Sequence, residues 1–511
     1  MPRSIGTPVN SSVVDRSAEL PPNTPVLIGV AAVQQKLDCF EDALEPIALM
    51  EQALHRAAMD VESAAVPGAA ILARADEIIV PKGMWDYSDP AGLLAKALSA
   101  ASAHTVLGEI GISQQTLINR ACQRILSGDA GVVLVAGAEA KYRGLCALKA
   151  GATVTDIEQV DVLSDTVLEP DSELWSEVES ATGLGMPVGY YAIIDSALRY
   201  KQGLSVAEHR DQMAQMYARF SEIAAHNPDA WVDQAVTASF IREPSPANRM
   251  LAYPYTKLHN SQWNVDQGAG LIFCSVAVAR ELGVPRHKWI FPRASTESNF
   301  MSVVSARKDL GGSIGFALAG KAAMKMAGVS FDDIRLRELY SCFPAAVRAQ
   351  LAEFDMRPEG DISVTGAMTF GGGPLNNFVF QATVKMAQML REQPDEVGLV
   401  TTVSGMLTKQ ACALWSGAPN PEGWDFADVT EQVRLQTTLC EVVADYAGPG
   451  KVAGYTVLYQ GDEPWRAVAV FDLPKEQRTV AYSENEDIIA AMIGEECCGL
   501  EFNLAQGRFR A

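Results

Sequence analysis

The sequence predicts an α/β protein built from two rounds of alternating strands and helices, followed by a small β domain. Three observations lead there. Apolar runs of strand length alternate with helical periodicity between Val26 and Val135, a second round runs from Trp289 to Val403, and beyond about Pro419 short alternating strands replace the helical pattern. Alternation of the first kind implies a mostly parallel sheet with right-handed crossovers.

The elements follow in order. Residues 1–24 are polar and Pro-rich, without an apolar signal core, and read as a disordered lead-in. Val26–Val30 is a strand, and Glu45 to Val61 is an amphipathic helix with Leu49, Leu54 and Ala58 inward. Strands near Gly68–Ala73 and Ile78–Pro81 come next. Leu117, Ala121, Ile125 and Leu126 then mark one apolar helical face, the turn Gly128-Asp129 ends it, and Val132–Val135 suits a strand covered on both sides. The first core therefore takes 25–147 plus about 250–288. Residues 148–249 break the rhythm: Asp165 to Glu179 is acidic and loop-like, whereas Val206 to His226 is an amphipathic helix. The second core, 289–418, begins at Trp289–Phe291. It continues through a helix at Gly315–Met326, a strand before Tyr340, a helix after Pro344, the Gly-rich turn Gly371–Pro374, a helix to Gln393 and the strand Gly398–Val403. In 419–511, strands Val452–Tyr459, Ala467–Leu473 and Thr479–Tyr482 and a short helix Asp487–Ile493 suit a small barrel of the OB type.

Composition narrows the function. A chain of 511 residues, 48% of them hydrophobic, can bury large cores. A formal charge of −21 argues against nucleic-acid or anionic-membrane binding, and the acidic barrel segment supplies no basic groove. No apolar run is long enough to span a membrane. The nine cysteines show no CxxC pair or zinc spacing, so no metal is expected; Cys122, Cys274 and Cys342 read as buried thiols in a reducing, cytoplasmic setting.

The stretch from Gly111 to Ala140, with its Gly-Asp-Ala turn and Ala-Gly-Ala-Glu strand end, resembles the nucleophile helix and following strand of thiolases. Further segments match in order. Tyr340-Ser-Cys-Phe343 is similar to the His-Asp-Cys-Phe of sterol-carrier-protein-type thiolases. Gly372-Gly373-Pro374 stands for Gly-His-Pro, Val403-Ser-Gly405 for Cys-x-Gly, and, more loosely, Asn260–Ala269 for an Asn-Ala-Ser-Gly-x-Asn-Asp-Gly-Ala stretch. The resemblance covers roughly the first 420 residues. It implies a duplicated five-layer fold of two βαβαβαββ-type cores, a loop domain at 148–249 over the cleft, and a C-terminal OB-like addition. It also implies coenzyme A or acyl-CoA as ligand, with no covalently bound cofactor.

The catalytic set is absent. Thiolase chemistry needs a thiolate at a helix N-terminus, a second cysteine for proton transfer and a histidine in an oxyanion hole. At those places the chain has Gly111, Val403 and Gly373. Cys122 lies eleven residues along the helix, roughly 16 Å from its start. The polar groups expected near the cleft are Ser113, Ser341, Asn376, Asn377, Ser404 and Lys257, and the only acid/base candidates are Tyr340 and His259. A phenol acting as base at pH 7 would need ~4 kcal/mol of help, but as proton donor it needs none. The remaining histidines, His55, His104, His209, His226 and His287, read as surface or helix-end residues.

Three functions follow as expectations: an acyl-CoA-binding protein of lipid metabolism without thiolase turnover; an acyltransferase or a retro-aldol enzyme using Tyr340, as in thiolase-like aldolases that pair with an OB-type domain; or a non-catalytic partner acting through the C-terminal domain. Monomer and homodimer are both open.

Overall fold

The computed structural model describes residues 20–171, 174–356 and 360–510. The expected disordered lead-in therefore falls mostly outside the described residues. The chain forms five stacked layers. One six-stranded sheet runs in the order Pro25–Gln35, Asp266–Ser275, Val132–Ala140, Glu77–Pro81, His104–Gly108 and Thr166–Leu168. The last four strands are parallel, and Asp266–Ser275 is antiparallel to both of its neighbours. The second sheet runs Leu336–Glu338, Val397–Ser404, Thr408–Ser416, Phe291–Glu297 and Asp425–Asp428.

Two helices, Gln114–Leu126 and Phe378–Glu392, lie between the sheets and touch both. Each is buried along most of its length, as a central layer must be. The helix Pro46–Asp60 covers the outer face of the first sheet, with Leu49, Leu54 and Ala58 inward as expected, and Ile314–Ala327 covers the second. Thr116 and Asn119 on the first central helix donate to buried Glu297 of the second sheet at 2.9 and 2.8 Å, tying the two halves together.

The C-terminal strands close a ring of five: Gly448–Gln460, Glu463–Asp472, Gln477–Ser483, Arg508–Arg510 and Glu501–Ala505, which pairs back to the first. With the helix Glu486–Gly494 between Gln477–Ser483 and Glu501–Ala505 along the chain, this is the OB arrangement. The barrel packs on the helix Pro187–Lys201. There Ser196 Oγ accepts from Tyr455 N at 2.8 Å, and buried Arg199 donates to Glu496 and to Tyr455 Oη.

Four expectations change. Gly68–Leu72 is a helix, not a strand, entered from Pro67 in an extended conformation. Asp425–Asp428 and the helix Thr430–Gln436 belong with the second core rather than the barrel, because Phe291–Glu297 leaves a sheet edge that this segment closes. Residues 250–256 are not part of the first core; Met250–Ala252 pairs with the barrel strand at Leu458. Within the acidic loop, Thr166–Leu168 is a strand on the edge of the first sheet.

Candidate active-site cleft

The cleft is assembled where strands of both cores end. Gly111 sits in the turn before the helix Gln114–Leu126, with φ +103. That conformation is accessible to glycine and strained for other residues. A Cβ there would also stand 3.0 Å from Pro170. Gly111, Pro170, Asp171, Leu174, Trp175 and Met301 line a cavity of about 350 Å³ in front of the turn. Ser113 follows at the helix N-cap, buried, its hydroxyl without a partner among the described residues.

Across the cleft, a side chain at 373 would require the Ser261 hydroxyl to rotate away. A Cβ on Gly373 would lie 1.9 Å from Ser261 Oγ, and one on Gly372 would lie 2.0 Å from Gln267 Oε1. Ser261 is held by its N–H, which donates to the Cys342 carbonyl at 3.1 Å, while Gly373 N–H donates to Gln262 O at 2.9 Å. The Tyr340–Phe343 segment and the Gly-Gly-Pro turn therefore meet through the loop 260–267. Val403 is buried in the strand that faces them.

The polar candidates divide. Tyr340 is partly exposed; its ring meets Phe378 edge-on with centroids 6.1 Å apart, and its backbone is fixed by Thr401 Oγ1 and Gln350 Nε2. Burial of the phenol raises its pKa, so Tyr340 stays protonated at neutral pH. Ser341 Oγ accepts from Met368 N at 3.1 Å and so supports the loop. Asn376 donates to Lys82 O at 2.8 Å, whereas the Asn377 amide is buried with neither end partnered among the described residues. Ser404 is partly exposed beside the Gly405 turn. Lys257 is exposed on the turn before His259.

His259 has its contacts with other residues than Tyr340. Its Nδ1 is 2.9 Å from Thr256 Oγ1, and its ring lies 5.3 Å from that of Tyr217 and 6.1 Å from that of Tyr255. Complete burial pushes its pKa down to about 3, so it is neutral at pH 7. Among the described residues no hydrogen bond or ring contact joins the two acid/base candidates. His209, expected at a surface or helix end, is buried, with Nε2 3.0 Å from Asp195 Oδ1. Glu338, two residues before Tyr340, is fully buried and receives Val364 N, Thr365 N and Ser363 Oγ; burial outweighs these donors and lifts it to about 7.

One group escaped the sequence reading. Lys409, 2% exposed, donates from Nζ to the Gly111 carbonyl at 3.1 Å. Burial lowers its pKa, and Asp171 opposes that effect. A lysine inside an apolar strand, six residues past Val403, was the available signal.

No protein-family model matches the chain. It is 23% identical over 324 residues to the 3-ketoacyl-CoA thiolase of Psychrobacter cryohalolentis, covering 62% of this chain and 78% of that protein. Among solved structures, a monomeric SCP2-thiolase-like protein type 1 from Mycobacterium smegmatis superposes with a TM-score of 0.79 at 23% identity, over 96% of this chain and 99% of that one. The Ltp2-ChsH2(DUF35) aldolase superposes with a TM-score of 0.57 at 15% identity, covering 77% of this chain and 98% of that one.

Proposed function

This chain has the thiolase fold with a closed C-terminal barrel, and on that premise we propose that it binds coenzyme A thioesters of lipid metabolism without thiolase turnover. The observation that carries this reading is the filling of the two key positions. Gly111 is held at positive φ against Pro170, and Ser261 Oγ takes the room beside Gly373. Losing a nucleophile alone costs several orders of magnitude in rate. A concave cavity beside Gly111 remains, lined by the Asp171 side chain as well as by Pro170, Leu174, Trp175 and Met301, a mixed surface that can hold a small molecule. Nine free thiols suit a reducing, cytoplasmic compartment.

Calorimetry with CoA, acetyl-CoA and acetoacetyl-CoA tests it. Saturable binding with no release of acetyl-CoA from acetoacetyl-CoA plus CoA is the expected result. No heat at millimolar ligand sinks the proposal.

A second reading keeps Tyr340 as proton donor in retro-aldol cleavage of a 3-hydroxyacyl thioester. It draws on the buried, protonated phenol and on the fold shared with the aldolase above. Incubation should then release an aldehyde or ketone, and Tyr340→Phe should abolish that release while leaving ligand binding within a few-fold.

A further inference from the structure

The hairpin carrying Val403 brings an amine to the place where the helix-opening nucleophile is missing. Thr402 faces Ala411 and Ser404 faces Thr408, so Val403 is opposed by two residues, Lys409 and Gln410. A bulge of this kind turns one side chain out of the regular alternation and recurs beside functional sites. Lys409 itself sits at φ +47, a conformation unfavourable for a residue with a side chain. The fold thus accepts two costs at one residue, a strained backbone and a buried amine, and their joint result is Nζ 3.1 Å from the carbonyl of Gly111. Gly405, in the turn of the same hairpin, abuts Met301 and Leu174, which line the cavity in front of Gly111. The amine therefore lies directly behind Gly111, a residue that lines that cavity, and the one hydrogen bond found for it among the described residues leaves donors and, once it is deprotonated, a lone pair to spare.

We propose that the Lys409 amine is the reactive group of this cleft and condenses with the keto carbonyl of a bound 3-oxoacyl thioester to form an imine. Nitrogen attacks the keto carbon, the C–N bond forms, and the two amine protons leave with the carbonyl oxygen as one water molecule. The keto group is the partner because its imine hydrolyses back to the free amine, whereas attack on the thioester would leave a stable amide. The reaction needs the neutral amine, which burial favours and Asp171 disfavours. The choice of a CoA thioester rests on the function proposed above; the reactivity of the amine does not.

The experiment incubates the full-length protein with acetoacetyl-CoA, and separately with acetoacetate, in the presence of sodium cyanoborohydride. Intact mass and peptide mapping then read the adduct, and calorimetry reads binding in parallel. One reduced adduct per chain, mapped to Lys409, is expected. Lys409→Arg keeps the cation and a donor toward Gly111 and should lose the adduct, while Lys325→Met on the exposed face of its helix should keep it. Binding of acetoacetyl-CoA without an adduct at Lys409, or with adducts only at other lysines, overturns the imine and leaves the CoA reading intact. An adduct at Lys409 from acetoacetate, with no CoA binding, removes the CoA reading and leaves the reactive amine. Failure of both binding and trapping removes both.

Discussion

At the residue scale, backbone conformation and volume at Gly111 and Gly373 bear on the proposed absence of thiolase turnover as much as side-chain identity does. Gly111→Ala should destabilise the protein by roughly 1–3 kcal/mol, since φ +103 and Pro170 both oppose a Cβ. Denaturant unfolding measures it; a change within about 0.5 kcal/mol, the range of ordinary surface substitutions, would show that the turn adapts freely. Gly111→Cys should behave likewise and gain no thiolysis. The expectation that Gly111, Gly373 and Val403 stand at the places of a Cys/His/Cys set comes from segment order alone. What Ser261, Gln267 and Lys409 do is not legible there, because each acts on a residue distant in sequence: Ser261 on Gly373, Gln267 on Gly372 and Lys409 on Gly111.

At the element scale, the long periodic helices and the core strands follow their sequence patterns. The short run Gly-Ala-Ala-Ile-Leu at 68–72 does not, because five apolar residues carry no period that separates strand from helix. The helices Pro187–Lys201, Val206–Ala225 and Pro344–Glu353 are joined by a buried polar cluster. Asp195 receives Tyr255 Oη at 2.7 Å and lies 3.0 Å from His209 Nε2 and 3.3 Å from Arg348 Nε. Burial disfavours the Asp195 carboxylate, but the His209 ring, the Arg348 guanidinium and the Tyr255 hydroxyl outweigh that and hold its pKa well below the usual range. A depressed carboxyl stabilises the fold above the ordinary Asp value of about 3.9 and loses that stabilisation as pH falls below it. Asp195→Asn should therefore cost ~3–5 kcal/mol at pH 7, because Arg348 is left buried and unpaired. The gap between variant and parent should narrow in melts below about pH 4. A gap that does not change between pH 7 and pH 3 would show that the cluster carries no net charge effect.

At the scale of the whole molecule, Thr166–Leu168 covers His104–Gly108 and becomes the edge of the first sheet, and an edge strand of three residues offers a second chain few backbone groups to pair with. Sedimentation should accordingly give a single species near 54.9 kDa, and a dimer would mean that another face associates. The barrel is seated on Pro187–Lys201, with Arg199 buried against Glu496 and Arg478 donating to the Arg307 and Lys308 carbonyls of the second core. A chain ending near residue 440 should lose its cooperative calorimetric transition, since it would expose that seam and strip Arg199 of its carboxylate. A truncated chain that melts as sharply as the parent would mark the barrel as an independent appendage.

The sequence by itself determined the layered α/β architecture and the barrel after it, because periodicity and motif order are local along the chain. Only the tertiary structure decided what stands in the vacated space, which edge is closed, and which buried lysine reaches the cleft. Those depend on distances between segments hundreds of residues apart, and on a single-residue slip in strand register at Val403, and neither leaves a local pattern to read.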